Sequence, residues 1–177
     1  MSLTRVKKYL QVSACLLCLA SYKSILANND ILLTGTDLQQ HALSEYIGKG
    51  KWTVVNIWGV DCPPCREEMP ELVLLSSHYG DRFLSVLGIA IDFPSFGYPD
   101  QEEVTKFMDE QLVDFPVLLS DETITSKLGA GPLRGLPTTF IFTPDGKLVG
   151  EQTGAINQKI IIDFITNYIS GSNPEKK

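Results

Sequence analysis

Two stretches of this chain are apolar at almost every position, WTVVNIW at residues 52–58 and FLSVLGIAI at residues 83–91. A strand covered on one face alternates, so unbroken runs of this length predict strands buried on both faces. Between them Met69, Leu72, Val73 and Leu75 recur at helical spacing, which predicts a helix from Cys62 to about Tyr79. Asp100 followed by Glu103 has the form of a capping box and predicts a helix through about Gln111. FPVLL then predicts a short strand, and DETITSKLG a short helix stopped by its glycine. Nearer the start, residues 31–33 are a short apolar run, LSEYIGKGK is a helical turn ended by glycines, and DFPSFGYPD at residues 92–100 is a loop.

The last third has a different rhythm. Two β-rich runs, residues 138–142 and 147–152, flank a Pro-Asp-Gly turn, the pattern of an antiparallel hairpin. A final amphipathic helix over residues 157–169 offers Ile160, Ile161, Phe164, Ile165 and Tyr168 to the body. Strands alternating with helices, then a hairpin and a helix, predict an α/β protein with a mixed central sheet flanked by helices. No repeat or long linker interrupts residues 30–171, which are read as one domain, and residues 172–177 as a polar tail.

Composition is ordinary for a globular chain of 177 residues, but the charge is unevenly placed. Arg5, Lys7, Lys8 and Lys23 precede residue 28, where there is no acid; without them 11 basic residues face 21 acidic ones, a net of −10 against −6 for the whole chain. So acidic a body argues against binding nucleic acid through phosphates. The basic start, the apolar stretch from Tyr9 to Ala20 and the small residue Ala27 have the order of a secretory signal peptide over residues 1–27. The rival is an uncleaved anchor, yet twelve helical residues span only about 18 Å of a hydrocarbon core of roughly 30 Å. Lipid attachment at Cys15 has too few apolar residues before it. The expectation is therefore an exported, periplasmic protein, with inner-membrane anchoring as the alternative.

Export changes the cysteine arithmetic. Cys15 and Cys18 lie in the signal, so the mature chain keeps Cys62 and Cys65, in VDCPPCREEMP. In an oxidising compartment such a pair either holds a local disulfide or cycles it. As a staple it is poor, because so small a loop hardly constrains the unfolded chain. At the start of the predicted helix, Cys62 faces unpaired N–H groups and the positive end of the dipole, which favour a thiolate. Pro63 and Pro64 suit a first turn that needs no donors and make it stiff. This setting makes Cys62 the attacking sulfur and Cys65, one turn deeper, the resolving one. A zinc site would need two more ligands, and His41, His78 and the carboxylates have no ligand-like spacing. A static disulfide and a peroxidatic cysteine are the other readings; the latter lacks a suitable threonine or proline before Cys62.

VVNIWGVDCPPCREEMPEL, taken with GLPTTFIFTPDGKLVGEQTG some seventy residues on, resembles the TlpA/ResA/DsbE group of exported thioredoxin-like proteins from about Leu32 to Ile169. The resemblance implies a thioredoxin fold with a βα insertion after the active-site helix, LGIAIDFPSFGYPDQEEVTKFMDEQL. It implies a thiol-disulfide oxidoreductase, commonly a reductant outside the inner membrane. Its substrates would be disulfide-containing proteins, often apocytochrome c, with electrons from a membrane reductase of the DsbD kind. No bound cofactor or metal is implied, since the dithiol is itself the redox group. Pro137 matches the proline such proteins hold cis beside the cysteines, which would turn the Leu136 backbone toward a substrate peptide. Glu68 matches the acidic residue near the active site of such proteins, where a partly desolvated carboxylate would shuttle a proton for Cys65; an ordinary solvated helix residue is the alternative reading. Asn56 stands where thioredoxin has a buried aspartate, and Pro70 matches a helix-kinking proline. Trp58 fits either core packing or substrate contact, and His78 a surface position.

Asp61 departs from the family, which usually carries tryptophan before the first cysteine. A carboxylate beside Cys62 disfavours its thiolate and so makes the reduced pair a stronger reductant. The leading function is thus an exported protein-disulfide reductase. A disulfide-introducing oxidase and a redox-idle binding module or chaperone are the alternatives, the former opposed by the acidic neighbours Asp61, Glu67 and Glu68.

Overall fold

The computed structural model describes residues 30–91 and 100–171. Within them the chain runs β1 (Leu32–Gly35), β2 (Gln40–Ala42), β3 (Trp52–Trp58), α1 (Pro63–Tyr79), β4 (Leu84–Ile91), α2 (Gln101–Gln111), β5 (Val117–Ser120), α3 (Ile124–Lys127), β6 (Thr138–Phe142), β7 (Leu148–Thr153) and α4 (Gln158–Ile169). The described residues from Leu32 onward belong to one compact unit, and residues 30 and 31 fall outside it. The expected signal with Cys15 and Cys18, residues 92–99 of the predicted loop, and the tail lie outside the described residues.

The described strands form one mixed sheet in the order β2-β1-β5-β4-β3-β6-β7. β3 pairs in parallel with β4, Trp52 opposite Leu84 through Trp58 opposite Ala90, and antiparallel with β6, Asn56 opposite Thr139. The unbroken apolar runs follow from this placement: β3 is buried at all seven positions and β4 at all but Ser85. The βα unit expected as an insertion is thus integral to the sheet, since its strand lies directly beside β3. The Pro-Asp-Gly hairpin is β6–β7, and Gly146 takes the positive φ of 88° that the turn requires.

Alternation divides the core. Trp52, Val54 and Trp58 on one face join Cys65, Met69, Leu72 and Leu75 of α1, Phe107 of α2, and Ile161 and Ile165 of α4 in one apolar cluster. Val55, Ile57, Leu87, Ile89 and Phe140, equally buried, point the other way. Two expectations need correction. Ile160 is 49% exposed, because Ile161 and Ile165 alone supply the fully buried line of α4. Asp100 caps α2 by accepting from the Glu102 N–H (2.9 Å), an Asx-type cap without the reciprocal bond from Glu103.

One glycine shapes the site from within the sheet. A Cβ on Gly88 would stand 3.0 Å from Trp58 Nε1, 3.1 Å from Val117 Cγ2 and 3.3 Å from Phe115 Cε2. The bare backbone therefore makes room for the indole. Gly88→Val is expected to destabilise the fold by about 1–3 kcal/mol, the ordinary cost of overpacking a filled core. A lower urea midpoint with unchanged slope is the expected reading, and an unchanged midpoint would show that the indole has room to move.

Candidate active site

The chain leaves β3 at Trp58, turns through Gly59-Val60-Asp61 with the Cys62 N–H donating to the Gly59 carbonyl (3.2 Å), and enters α1. Cys62 is the N-cap: its backbone is extended and its Sγ accepts from the Cys65 N–H at 3.3 Å. Pro63 and Pro64 fill the first turn, where a missing donor costs nothing. Cys62 and Cys65 are joined as a disulfide. The two sulfurs differ in access: Cys62 is half-buried at the mouth of the site, whereas Cys65 is fully buried. An arriving thiol or disulfide therefore meets Cys62 first, at the positive end of a 17-residue helix.

Glu68 lies one turn beyond Cys65 on the same buried face of α1 and is only 2% exposed. Its Oε1 accepts from Asn56 Nδ2 at 2.8 Å, and its Oε2 from the Ile156 N–H at 2.7 Å. Asn56 Nδ2 also donates to Thr139 Oγ1 at 3.0 Å, across the β3–β6 register that sets the two residues opposite each other. Burial pushes the Glu68 carboxyl above its ordinary value of 4.5; the bonds from Ile156 and Asn56 pull it down less strongly. One turn further along, Glu71 accepts from the Gln158 N–H at 3.1 Å. Two carboxylates of α1 thus hold the backbone that leads into α4, and the solvated-residue reading of Glu68 is excluded.

The Leu136–Pro137 peptide is cis. Pro137 is buried, its carbonyl accepts from the Gly154 N–H (2.8 Å), and the half-buried Leu136 borders the cysteine loop. Gly59 makes that approach feasible: a Cβ there would meet the Ile91 carbonyl at 3.1 Å and Leu136 Cδ1 at 3.4 Å, with Cys62 Cβ at 3.9 Å. Gly59 and the Ile156 N–H shape the site and were missed by sequence reasoning. The first had a signal, a glycine between a buried strand and the cysteines. The second, a backbone donor far along the chain, had none.

Trp58 is corrected as a substrate contact. It is fully buried, with its ring 4.8 Å from Phe107 of α2, so that helix closes over it as core. Asp61 is exposed and shares a cleft of about 190 Å³ with Arg66 and with Glu103, Lys106 and Glu110 of α2. Arg66 sits over the Phe107 ring at 4.9 Å and donates Nη1 to the Val60 carbonyl at 3.3 Å, fastening the cysteine loop to α2. His78 is exposed at the end of α1, with Nδ1 2.9 Å from Gln158 Nε2.

A mixed sheet flanked by helices, carrying a disulfide between the cap and first turn of α1 beside a cis-proline loop, defines a thioredoxin-like thiol-disulfide oxidoreductase. The chain belongs to the AhpC/TSA family, whose family model matches residues 27–150. Thiol-disulfide oxidoreductase ResA of Bacillus subtilis (strain 168) is 28% identical over 164 residues, covering 88% of this chain and 87% of the relative. ResA of Bacillus thuringiensis (strain Al Hakam) is 32% identical over 123 residues, 67% of this chain and 66% of that one. The fold is shared with a DsbF homologue from Corynebacterium diphtheriae (TM-score 0.65, 23% identity, 78% of this chain and 83% of that one). It is also shared with the exposed lipoprotein thioredoxin Etrx1 from Streptococcus pneumoniae strain TIGR4 (TM-score 0.62, 23% identity, 78% and 98%).

The buried carboxyl gives a pH signature. A group whose folded pKa lies above 4.5 is harder to ionise in the fold than in the open chain. The penalty is absent below pH 4.5, grows as pH rises through that value, and is complete once pH exceeds the folded pKa. Glu68→Gln removes it. Relative to wild type the variant should gain stability as pH rises from 4.5 toward neutrality, followed by urea midpoints across that range. A difference that stayed constant would contradict burial as the dominant cause.

Proposed function

We propose that this oxidoreductase is an exported dithiol reductant of protein disulfides. The observation that carries the reading is the asymmetry of the pair, an accessible Cys62 at the helix cap and a sealed Cys65 one turn above a buried carboxylate. The Cys62 thiolate attacks one sulfur of the substrate disulfide; the S–S bond breaks and the departing substrate sulfur takes a proton. Cys65 then gives its proton to Glu68 and, as a thiolate, attacks Cys62 Sγ. The mixed disulfide breaks, and the second substrate thiolate leaves and is protonated in turn through Glu68. Two electrons pass from the dithiol to the substrate, which ends as two thiols. Leu136 and Pro137 form the wall along which an extended substrate peptide pairs.

Export is supported by the signal-like order of residues 1–27 and by a structural neighbour described as an exposed lipoprotein. Among the described residues no helix is long and apolar enough to cross a membrane. Resemblance to the ResA and DsbE group supports apocytochrome c as a substrate and a membrane thiol reductase of the DsbD kind as electron donor. The dithiol is the redox group of this scheme.

Insulin reduction tests the reading. The wild type should catalyse it, Cys62→Ser should abolish it, and Glu68→Gln should slow it about 10²-fold, the lower range for a positioned proton acceptor. Absence of turnover in the reduced wild type would leave only a binding module. The potential of the Cys62–Cys65 pair should lie below that of glutathione; a value at or above it would reverse the direction to disulfide formation. Asp61→Asn should raise that potential by on the order of 20 mV, from roughly 0.8 kcal/mol of screened repulsion across about 5 Å of water. No change, or a fall, would remove Asp61 from the tuning of the site.

A further inference from the structure

Asn56 is fully buried, and its amide is used on one side only: Nδ2 donates to Glu68 Oε1 (2.8 Å) and Thr139 Oγ1 (3.0 Å), while Oδ1 has no partner among the described residues. Both partners can reverse their roles. A carboxylate only accepts, but a carboxylic acid donates from its O–H, and a threonine hydroxyl does either. Nothing on Oδ1 holds the amide in one orientation. The other carboxyl oxygen is different: Oε2 faces the Ile156 N–H at 2.7 Å, and a backbone N–H can only donate. Oε2 must therefore remain an acceptor, so a proton taken up by Glu68 has to sit on Oε1, against the Asn56 NH2, where two donors would face each other.

We propose that Asn56 is a positioning residue whose side-chain amide turns over with the proton on Glu68, offering NH2 to the carboxylate and its carbonyl oxygen to the acid. In the turned state Oδ1 accepts from Glu68 Oε1–H and Thr139 Oγ1–H, and Nδ2 takes the place of the unpartnered oxygen. Two hydrogen bonds exist in each state, so neither traps the proton. Glu68 can then take a proton from Cys65 and return it without losing its hold on β3 or on Ile156. Among the described residues no charged side chain contributes to the Glu68 environment, which is set by desolvation, Ile156 and Asn56. Glu71, on the same helix, is engaged with Gln158, and Cys65 is the titratable partner on the shared buried face once the disulfide is reduced.

The inference rests on Glu68 as proton acceptor, and wild-type protein tests it without turnover. In the oxidised form, where the cysteines do not titrate, the Glu68 carboxyl carbon and the Asn56 side-chain NH2 are followed by NMR from pH 8 to 4. The two should shift with one midpoint, and the NH2 protons should lose their contacts to Glu68 and Thr139 below it. NH2 protons that keep those contacts through the Glu68 transition would overturn the proposal. In reduced protein, Asn56→Leu should slow insulin reduction about tenfold and Asn56→Gln less, a fraction of what a positioned proton acceptor supplies. A Leu variant as fast as wild type would likewise overturn it. If instead Glu68→Gln turns over at the wild-type rate, the proton-acceptor reading fails while the NMR result stands.

Discussion

A carboxylate buried between a helix and a sheet is the constraint around which this site is built. Removing an isolated carboxylate from water costs several kcal/mol, so such a group persists only where donors come to it. Glu68 receives one from Asn56 on β3 and one from the backbone at Ile156. Those contacts tie α1 to the middle of the sheet and to the start of α4, reinforcing the apolar packing of Met69, Leu72 and Leu75. The donors lessen the desolvation without cancelling it, so the carboxyl stays above its ordinary value.

From that anchor the two sulfurs acquire unlike surroundings. Cys65 is drawn into the same buried face as Glu68, while Cys62, outside the helix proper, keeps access to solvent and to the amide donors of the first turn. The flanks are built from different materials. On one side backbone bonds into Glu68 and Glu71 hold α1 against the start of α4; on the other, Arg66, Phe107 and Trp58 form a column of side chains joining the cysteine loop to α2.

Much of this was legible in the residues. Unbroken apolar runs announced β3 and β4 because strands buried on both faces have no polar side to show. The Pro-Asp-Gly turn announced the last hairpin, and the double proline between cysteines announced a helix start. What escaped depended on which distant element covers a residue. Trp58 was ambiguous because an aromatic beside a catalytic loop looks the same whether a substrate or a helix closes over it, and it is Phe107, some fifty positions on, that decides. Ile160 misled because periodicity marks a stripe wider than the line of contact α4 makes. Gly59 was visible as a residue but not as a spacer, since its role lies in the closeness of Leu136.

The bond from Ile156 to Glu68 has a consequence for how the protein can vary. Its donor is main-chain, so the side chain at position 156 is answerable to packing alone while the buried Glu68 carboxyl keeps its partner whatever that side chain becomes. Proline is the exception, being the one residue without an N–H to give. A requirement of the buried carboxyl is thereby written at position 156 as an exclusion, and it would leave no conserved residue type behind to betray it.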